Sequence, residues 1–256
     1  MKKSHVFSLC SLFILISILA SGQDKSIQKF NTLSSKEKKE GWKLLFDGKT
    51  FSGWRGLGRD HVPIGLWIVE DGMIRKLKSS SVKQLPDGRP VENGDLMTID
   101  TYNDFELVFE WKIDKGGNSG LKYNVSEELC KQNGSEFSAL GFEYQMLDDA
   151  DPQYKNLKPS QYSGSLYDLI PAKNINLKPV GEFNTSRIIV KGNGEHWLNG
   201  IKVVEYEFGS KELEDAFLKS KFSKINGFTD KKKAHIVLQN HADEAWFRNI
   251  KIRELK

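Results

Sequence analysis

The sequence predicts an all-β fold: two antiparallel sheets packed face to face as a jelly roll, with short peripheral helices. Three observations lead there. Phe105, Leu107, Phe109, Trp111 and Ile113 alternate with Glu106, Val108, Glu110 and Lys112, the period of two that sends successive side chains to opposite faces of a strand. Asn199-Gly200 separates two short apolar runs, as a two-residue hairpin turn with positive φ requires. Glycine is plentiful at 22 residues, aromatics make up 11% of the chain and prolines number only 7, a mixture suited to many strands joined by tight turns.

Taken in order, the chain opens on Lys2-Lys3, an apolar run from Val6 to Leu19, and the small residues Ala20-Ser21-Gly22. That order predicts a signal peptide over 1–22, cut before Gln23, and an exported protein. The run is shorter than the roughly 20 residues of a comfortable membrane helix. An uncleaved anchor is the competing reading. A lipid anchor would need Cys at position 23, which is Gln. Loss of the leader removes two lysines and no acids, so net charge falls from +4 to +2, which argues against nucleic acid as a partner. Lys231-Lys232-Lys233 then reads as a solvated loop. Cys10 leaves with the leader and Cys130 remains alone, so the core must hold the fold without a disulfide.

Residues 23–33 read as a polar tether, and 34–256 as one sandwich domain. Ser34-Ser35-Lys36-Glu37 has capping-box spacing for a short helix that Gly41 closes. Beyond Trp42 the period of two dominates. Positions 140–147 repeat the strand pattern, with Leu140, Phe142, Tyr144 and Met146 facing in and Gly141, Glu143, Gln145 and Leu147 facing out. Further strands are expected over 66–70, 73–78, 121–125, 166–170, 183–191, 234–241 and 246–253. A hairpin is expected across Asn199-Gly200. A second helix is expected over 211–221, with Leu213, Ala216 and Phe217 on one stripe.

Several stretches form one ordered series along the chain. They are Gly41-Trp42-Lys43-Leu44-Leu45-Phe46-Asp47-Gly48-Lys49 with Ser52-Gly53-Trp54, Gly117-Asn118-Ser119-Gly120-Leu121-Lys122-Tyr123, and Gly141-Phe142-Glu143-Tyr144-Gln145-Met146-Leu147-Asp148. The order continues through Ser165-Leu166-Tyr167-Asp168-Leu169, Asn184-Thr185-Ser186-Arg187-Ile188, Glu195-His196-Trp197-Leu198-Asn199-Gly200, Leu238-Gln239-Asn240-His241 and Trp246-Phe247-Arg248-Asn249-Ile250-Lys251-Ile252. Together these stretches resemble the 3-keto-disaccharide hydrolase family. Two positions depart from the family pattern: Asn240, where Asp is usual before the histidine, and Phe183, where Trp is usual. The resemblance implies a concanavalin A-like lectin and glucanase fold and a concave sugar-binding face. It also implies cleavage of glycosides whose ring carries a 3-keto group. The leader implies a bacterial protein exported to the periplasm or cell surface with no membrane span after signal cleavage, and the resemblance implies a carbohydrate partner.

Glu143 and Gln145 stand about 6.6 Å apart on one strand face. Retaining glycosidases use two carboxylates about 5–5.5 Å apart, and an amide cannot be the nucleophile, so a two-carboxylate mechanism is disfavoured on this strand. A 3-keto group offers elimination instead, which needs a base, an oxyanion stabiliser and an acid. His241 is the candidate base or acid by its intrinsic pKa. Lys122 is a candidate cation for the developing enolate, against the alternative of a solvated edge charge. Glu143 is the alternative base, or a partner that orients the histidine or a metal. Asn118, Gln145, Gln239, Tyr167 and Asp168 are candidate sugar contacts, with Asp168 alternatively ending a turn. Arg248 is expected to pair with a carboxylate beneath the site, with ligand contact second. His196 and His235 read as structural or surface groups, and Trp111 as core.

No cofactor is required by the sequence. The alternative is a carboxylate-and-amide site for Ca²⁺ or another divalent ion, built from Glu143 and Asp148 or from loop acids. The competing function classes are a non-catalytic carbohydrate-binding module and a structural domain at the cell surface. Three ionisable groups on one face favour the enzyme, since a lectin needs only amides, hydroxyls and aromatics there.

Overall fold

The computed structural model describes residues 30–256. The expected leader and most of the tether lie outside the described residues. Thirteen strands and three α-helices follow in order: α1 (Ser35–Lys39), β1 (Lys43–Leu44), β2 (Trp54–Gly56), β3 (Trp67–Glu70), β4 (Met73–Lys76), β5 (Leu96–Thr98), β6 (Phe105–Ile113), β7 (Asn118–Val125), α2 (Glu127–Gln132), β8 (Phe142–Leu147), β9 (Asn184–Lys191), β10 (Asn193–Leu198), β11 (Ile201–Glu207), α3 (Lys211–Leu218), β12 (His235–Leu238) and β13 (Ala245–Glu254). All pairing is antiparallel, and the strands form two sheets, as the alternation predicted. The larger sheet has eight strands, running β11-β10-β9-β6-β13-β4-β3 with β1 also on β13. The smaller has five, in the order β2-β5-β12-β7-β8.

The apolar face of β6 is the wall of the core. Phe105, Leu107, Phe109, Trp111 and Ile113 are all buried and meet Leu121, Tyr123, Phe142, Tyr144 and Met146 of the opposite sheet. The rings meet edge to face: Phe109 on Tyr144 with centroids 5.6 Å apart, and Phe105 on Tyr123 at 6.3 Å. Each such side chain contributes about 1.5–3 kcal/mol by leaving water. Polar side chains also cross this core. His196 donates from Nδ1 to the Gly164 carbonyl at 2.9 Å, which leaves Nε2 to accept from Tyr123 Oη at 2.7 Å. Tyr206 Oη in turn lies 2.8 Å from Tyr123 Oη. Burial presses the imidazole pKa down to about 4, so it stays neutral.

Local chemistry places the smaller elements where expected. Ser34 caps α1 in a full capping box with Glu37. Asn199 and Gly200 both have positive φ, 47° and 87°, and close the β10–β11 hairpin. The strand expected over 166–170 is a correction: Asp168 sits at φ 57°, and Leu166 accepts from both Leu169 and Ile170 in a tight turn. The last helix stops at Leu218 rather than at 221.

Residues at the end of the expected tether are docked. Asn31 and Asn249 exchange backbone-to-side-chain hydrogen bonds of 2.6 and 2.9 Å at a bulge in β13, and Asn31 Nδ2 donates to the Gly72 carbonyl at 2.8 Å. No helix of the described residues is long and apolar enough to cross a membrane.

Candidate active site

A row of side chains runs in register across the outward face of the smaller sheet: Arg55, Met97, Val237, Lys122 and Glu143 are successive cross-strand neighbours. Strand parity predicts that Lys122 and Glu143 point away from the core. They do, yet both are buried, 5% and 6% exposed. The segments that carry α2, residues 133–139 and the loop through Tyr167 cover that face and convert it from a solvated surface into a site. The reading of Lys122 as a solvated edge charge therefore fails.

Glu143 is held from two sides. Gln239 Nε2 donates to its Oε2 at 3.2 Å. With the amide of Gln145 turned so that its nitrogen faces the carboxylate, Gln145 donates to Oε1 at 3.0 Å and to the Ser119 carbonyl at 3.2 Å. Lys122 Nζ stands 3.9 Å from Oε2. Burial raises the Glu143 pKa above the ordinary glutamate value, and the charges of Lys122 and Lys221 pull the other way without cancelling it. A carboxyl in that condition is suited to accept a proton.

Lys122 has three oxygen neighbours. Its ammonium donates to the Ala139 carbonyl at 3.0 Å and to Asp95 Oδ2 at 3.4 Å, besides facing Glu143. Burial alone would lower its pKa, but Asp95 and Glu143 outweigh that and the net shift is upward, so it remains a cation. Asp95, 1% exposed, is the junction of the site. Its Oδ2 also accepts from the Ala139 N–H at 2.7 Å, and its Oδ1 from the Asn240 N–H at 2.7 Å. Sequence reading missed Asp95, because an acid after Asn93-Gly94 looks like any loop carboxylate. It also missed Lys221, whose ammonium lies 4.4 Å from the Tyr167 ring centroid.

The remaining candidates divide. Asn118 and Gln145 share the face of Glu143 along β7 and β8, and Gln239 follows β12. Tyr167 lies beside Glu143 and donates its N–H to the Glu143 carbonyl at 2.9 Å. Asp168 is committed to the fold: it accepts from Lys158 at 3.2 Å, Gln161 at 3.1 Å and the Lys221 N–H at 2.7 Å. Asp148 caps the preceding turn, accepting from the Gly116 N–H at 2.9 Å.

His241 lies beyond β12 on a cleft that also includes Asp95 and Asn240. Its Nδ1 is 3.6 Å from Asp243, and its carbonyl accepts from the buried Lys76. Desolvation first, then Lys76 and Lys122, lower its pKa, so it is a neutral imidazole near neutral pH. Arg248 does not join this group. It stands on the outer face of the larger sheet, donating to Glu110 at 2.7 Å and clasped by the Phe30 and Phe183 rings, each 3.7 Å from its guanidinium. The expected carboxylate is there, but under the opposite sheet. Among the described residues no group of three or more His, Cys, Asp or Glu is placed to hold a metal ion.

Fold and cluster define a two-sheet β-sandwich with an acid–cation centre buried on its smaller sheet. The chain belongs to the 3-keto-alpha-glucoside-1,2-lyase-like domain family, whose model matches residues 41–253. It is 39% identical over 234 residues to a 3-keto-disaccharide hydrolase of Bacteroides thetaiotaomicron, covering 84% of this chain and 79% of that protein. Among solved structures it resembles a candidate glycosyl hydrolase of Parabacteroides distasonis at 30% identity and TM-score 0.74, over 89% of this chain and all of the other. A second candidate glycosyl hydrolase from the same organism matches at 26% identity and TM-score 0.61, over 84% of this chain and 99% of the other. The resemblance read from the sequence blocks is thereby borne out.

Proposed function

We propose that this protein is an enzyme that cleaves the glycosidic bond of 3-keto-disaccharides and related 3-keto-glycosides, beginning with an elimination. The observation that carries this reading is Glu143, a buried carboxylate of raised pKa held by two amides beside a fixed cation. The family description and the name of the Bacteroides relative supply the substrate class.

A ketone at C3 acidifies the hydrogen on C2. Glu143 takes that proton, and the C–H electron pair forms an enolate between C2 and C3. Neutralised Glu143 then leaves the Lys122 and Lys221 charges to stabilise the enolate oxygen. Lys122, fixed by Asp95 and the Ala139 carbonyl, acts as a positioned charge. The enolate electrons return, re-form the ketone, make a C1=C2 double bond and expel the C1 oxygen. Protonated Glu143 is the candidate acid that returns its proton to this oxygen and so regains its carboxylate, and neutral His241 can donate a hydrogen bond to it. Water adding its hydroxyl to C1 and a proton to C2 completes net hydrolysis. The leader-like residues 1–22 support export as the setting.

Incubating the purified protein with glucosides and their 3-keto counterparts in D₂O, followed by mass spectrometry, tests this. Cleavage of keto forms only, with deuterium entering at C2 and loss in Glu143→Gln, supports it. Cleavage without deuterium at C2 overturns the elimination step. Binding without any turnover moves the protein to the lectin class.

A further inference from the structure

Beside the Glu143 centre, residues 93–95, 134–138 and 240–242 enclose an open cleft of about 490 Å³, lined by Ser79, Asn93, Asp95, Phe137, Asn240 and His241 among others. Its size falls within the range of about 300–1,000 Å³ typical of small-molecule sites. No Lys or Arg lines it, so nothing there balances an anionic ligand. Its lining is hydroxyls, amides, the acceptor carboxylates of Asp95 and Glu136, the His241 imidazole and one aromatic ring. Phe137 is 38% exposed, unusual for a phenylalanine, and Arg59 lies over its ring, 4.3 Å from the centroid. Asn240 has its backbone N–H tied to Asp95, but its Oδ1 is buried with no hydrogen-bond partner among the described residues. An unpaired buried acceptor costs about 1–3 kcal/mol, and native structures leave few without a reason.

We propose that this cleft is a second sugar subsite, holding the ring attached to the departing oxygen, with Phe137 as its apolar platform and Asn240 as a hydroxyl acceptor. The proposal rests on the function argued above and assigns the residues that would hold the second ring of its disaccharide. The cleft shares a wall with the reaction centre: Asp95 joins it to Lys122, and Gln239, next to Asn240, donates to Glu143. His241 stands on the same cleft. The ligand class is a neutral, hydroxyl-rich ring with an apolar face, a hexose.

The test compares kcat/KM for a 3-keto-disaccharide with that for methyl 3-keto-glucoside, whose leaving group has no ring. In Phe137→Ala and Asn240→Ala the ratio should fall about tenfold or more, the worth of one well-placed side chain. An unchanged ratio in both variants overturns the subsite. Glucose titrated calorimetrically into the wild type and Phe137→Ala separates this proposal from the reaction. If the wild type turns over no keto sugar, the elimination reading falls, while glucose binding weakened in Phe137→Ala still upholds the subsite. No glucose binding to the wild type, together with an unchanged ratio or no turnover, sinks it.

Discussion

The carboxylate of Glu143 occupies the space a side chain on Gly120 would take: a Cβ there would lie 2.7 Å from Oε1 and 3.0 Å from Cδ. Gly120 is the cross-strand neighbour of Gln145, so the missing side chain leaves room for the base and the amide that holds it. Gly120→Ala should therefore cost little stability, about 1–3 kcal/mol, because the end of a flexible side chain can yield. Turnover should fall about 100-fold, as expected for a base displaced by roughly an ångström. Kinetics on a 3-keto-glucoside together with a thermal melt separate the two. Full activity in a folded variant would mean the carboxylate need not stand where it does.

Removing the cation from a buried cluster leaves its carboxylates uncompensated. Lys122→Met should destabilise the fold by about 3–5 kcal/mol at pH 7, the cost of breaking a buried ion pair. Adding Asp95→Asn should return part of that loss, because the two sites share one interaction. Urea denaturation of the two single variants and the double variant reads the coupling. Simple additivity would show that Asp95 and Lys122 do not act as a pair.

Glu143 must be ionised to act as a base, and burial has raised its pKa. The acid limb of the kcat/KM profile should accordingly lie above the ordinary glutamate value of 4.5. Lys221 lowers the Glu143 pKa, so Lys221→Met should move this limb to still higher pH. A limb that stays in place, or moves down, would remove Lys221 from the electrostatics of the site.

His196 is neutral in the fold with a pKa of about 4, against 6.5 as its ordinary value. The unfolded chain binds a proton more readily than the native protein in between, so stability is lost as pH falls from 6.5 through 4. The full loss from this residue is about 3 kcal/mol at 1.36 kcal/mol per pKa unit. Unfolding free energies measured across that window should slope in the wild type. They should slope less in His196→Gln, whose amide can still donate to the Gly164 carbonyl.

Strand parity made the core readable in advance. The five apolar side chains of β6 and the inward residues of β8 lie where alternation put them, because a one-residue slip would have turned all of them to the other face. The same parity put Lys122 and Glu143 on the outer face, but gave no sign that this face is covered. The cover comes from α2, six residues capped by Ser126, and from loops whose packing depends on partners far along the chain. Asp95 was illegible for a related reason. It precedes β5, three residues with too little sequence for any period to emerge, and its partners lie at Lys122, Ala139 and Asn240. Arg248 was read correctly as a carboxylate partner and put under the wrong sheet. Parity separates the two faces of a strand, but it cannot say which sheet that strand joins.

Asp95 is separated from its three partners by 27, 44 and 145 residues. Not one of these contacts can form early by local chain motion, and each requires a large loop to close first. The chain therefore acquires its reaction centre only when nearly all of its topology is in place. Refolding should recover native fluorescence and catalysis in a single late phase, and no proteolytic fragment lacking β5 or β12 should retain activity.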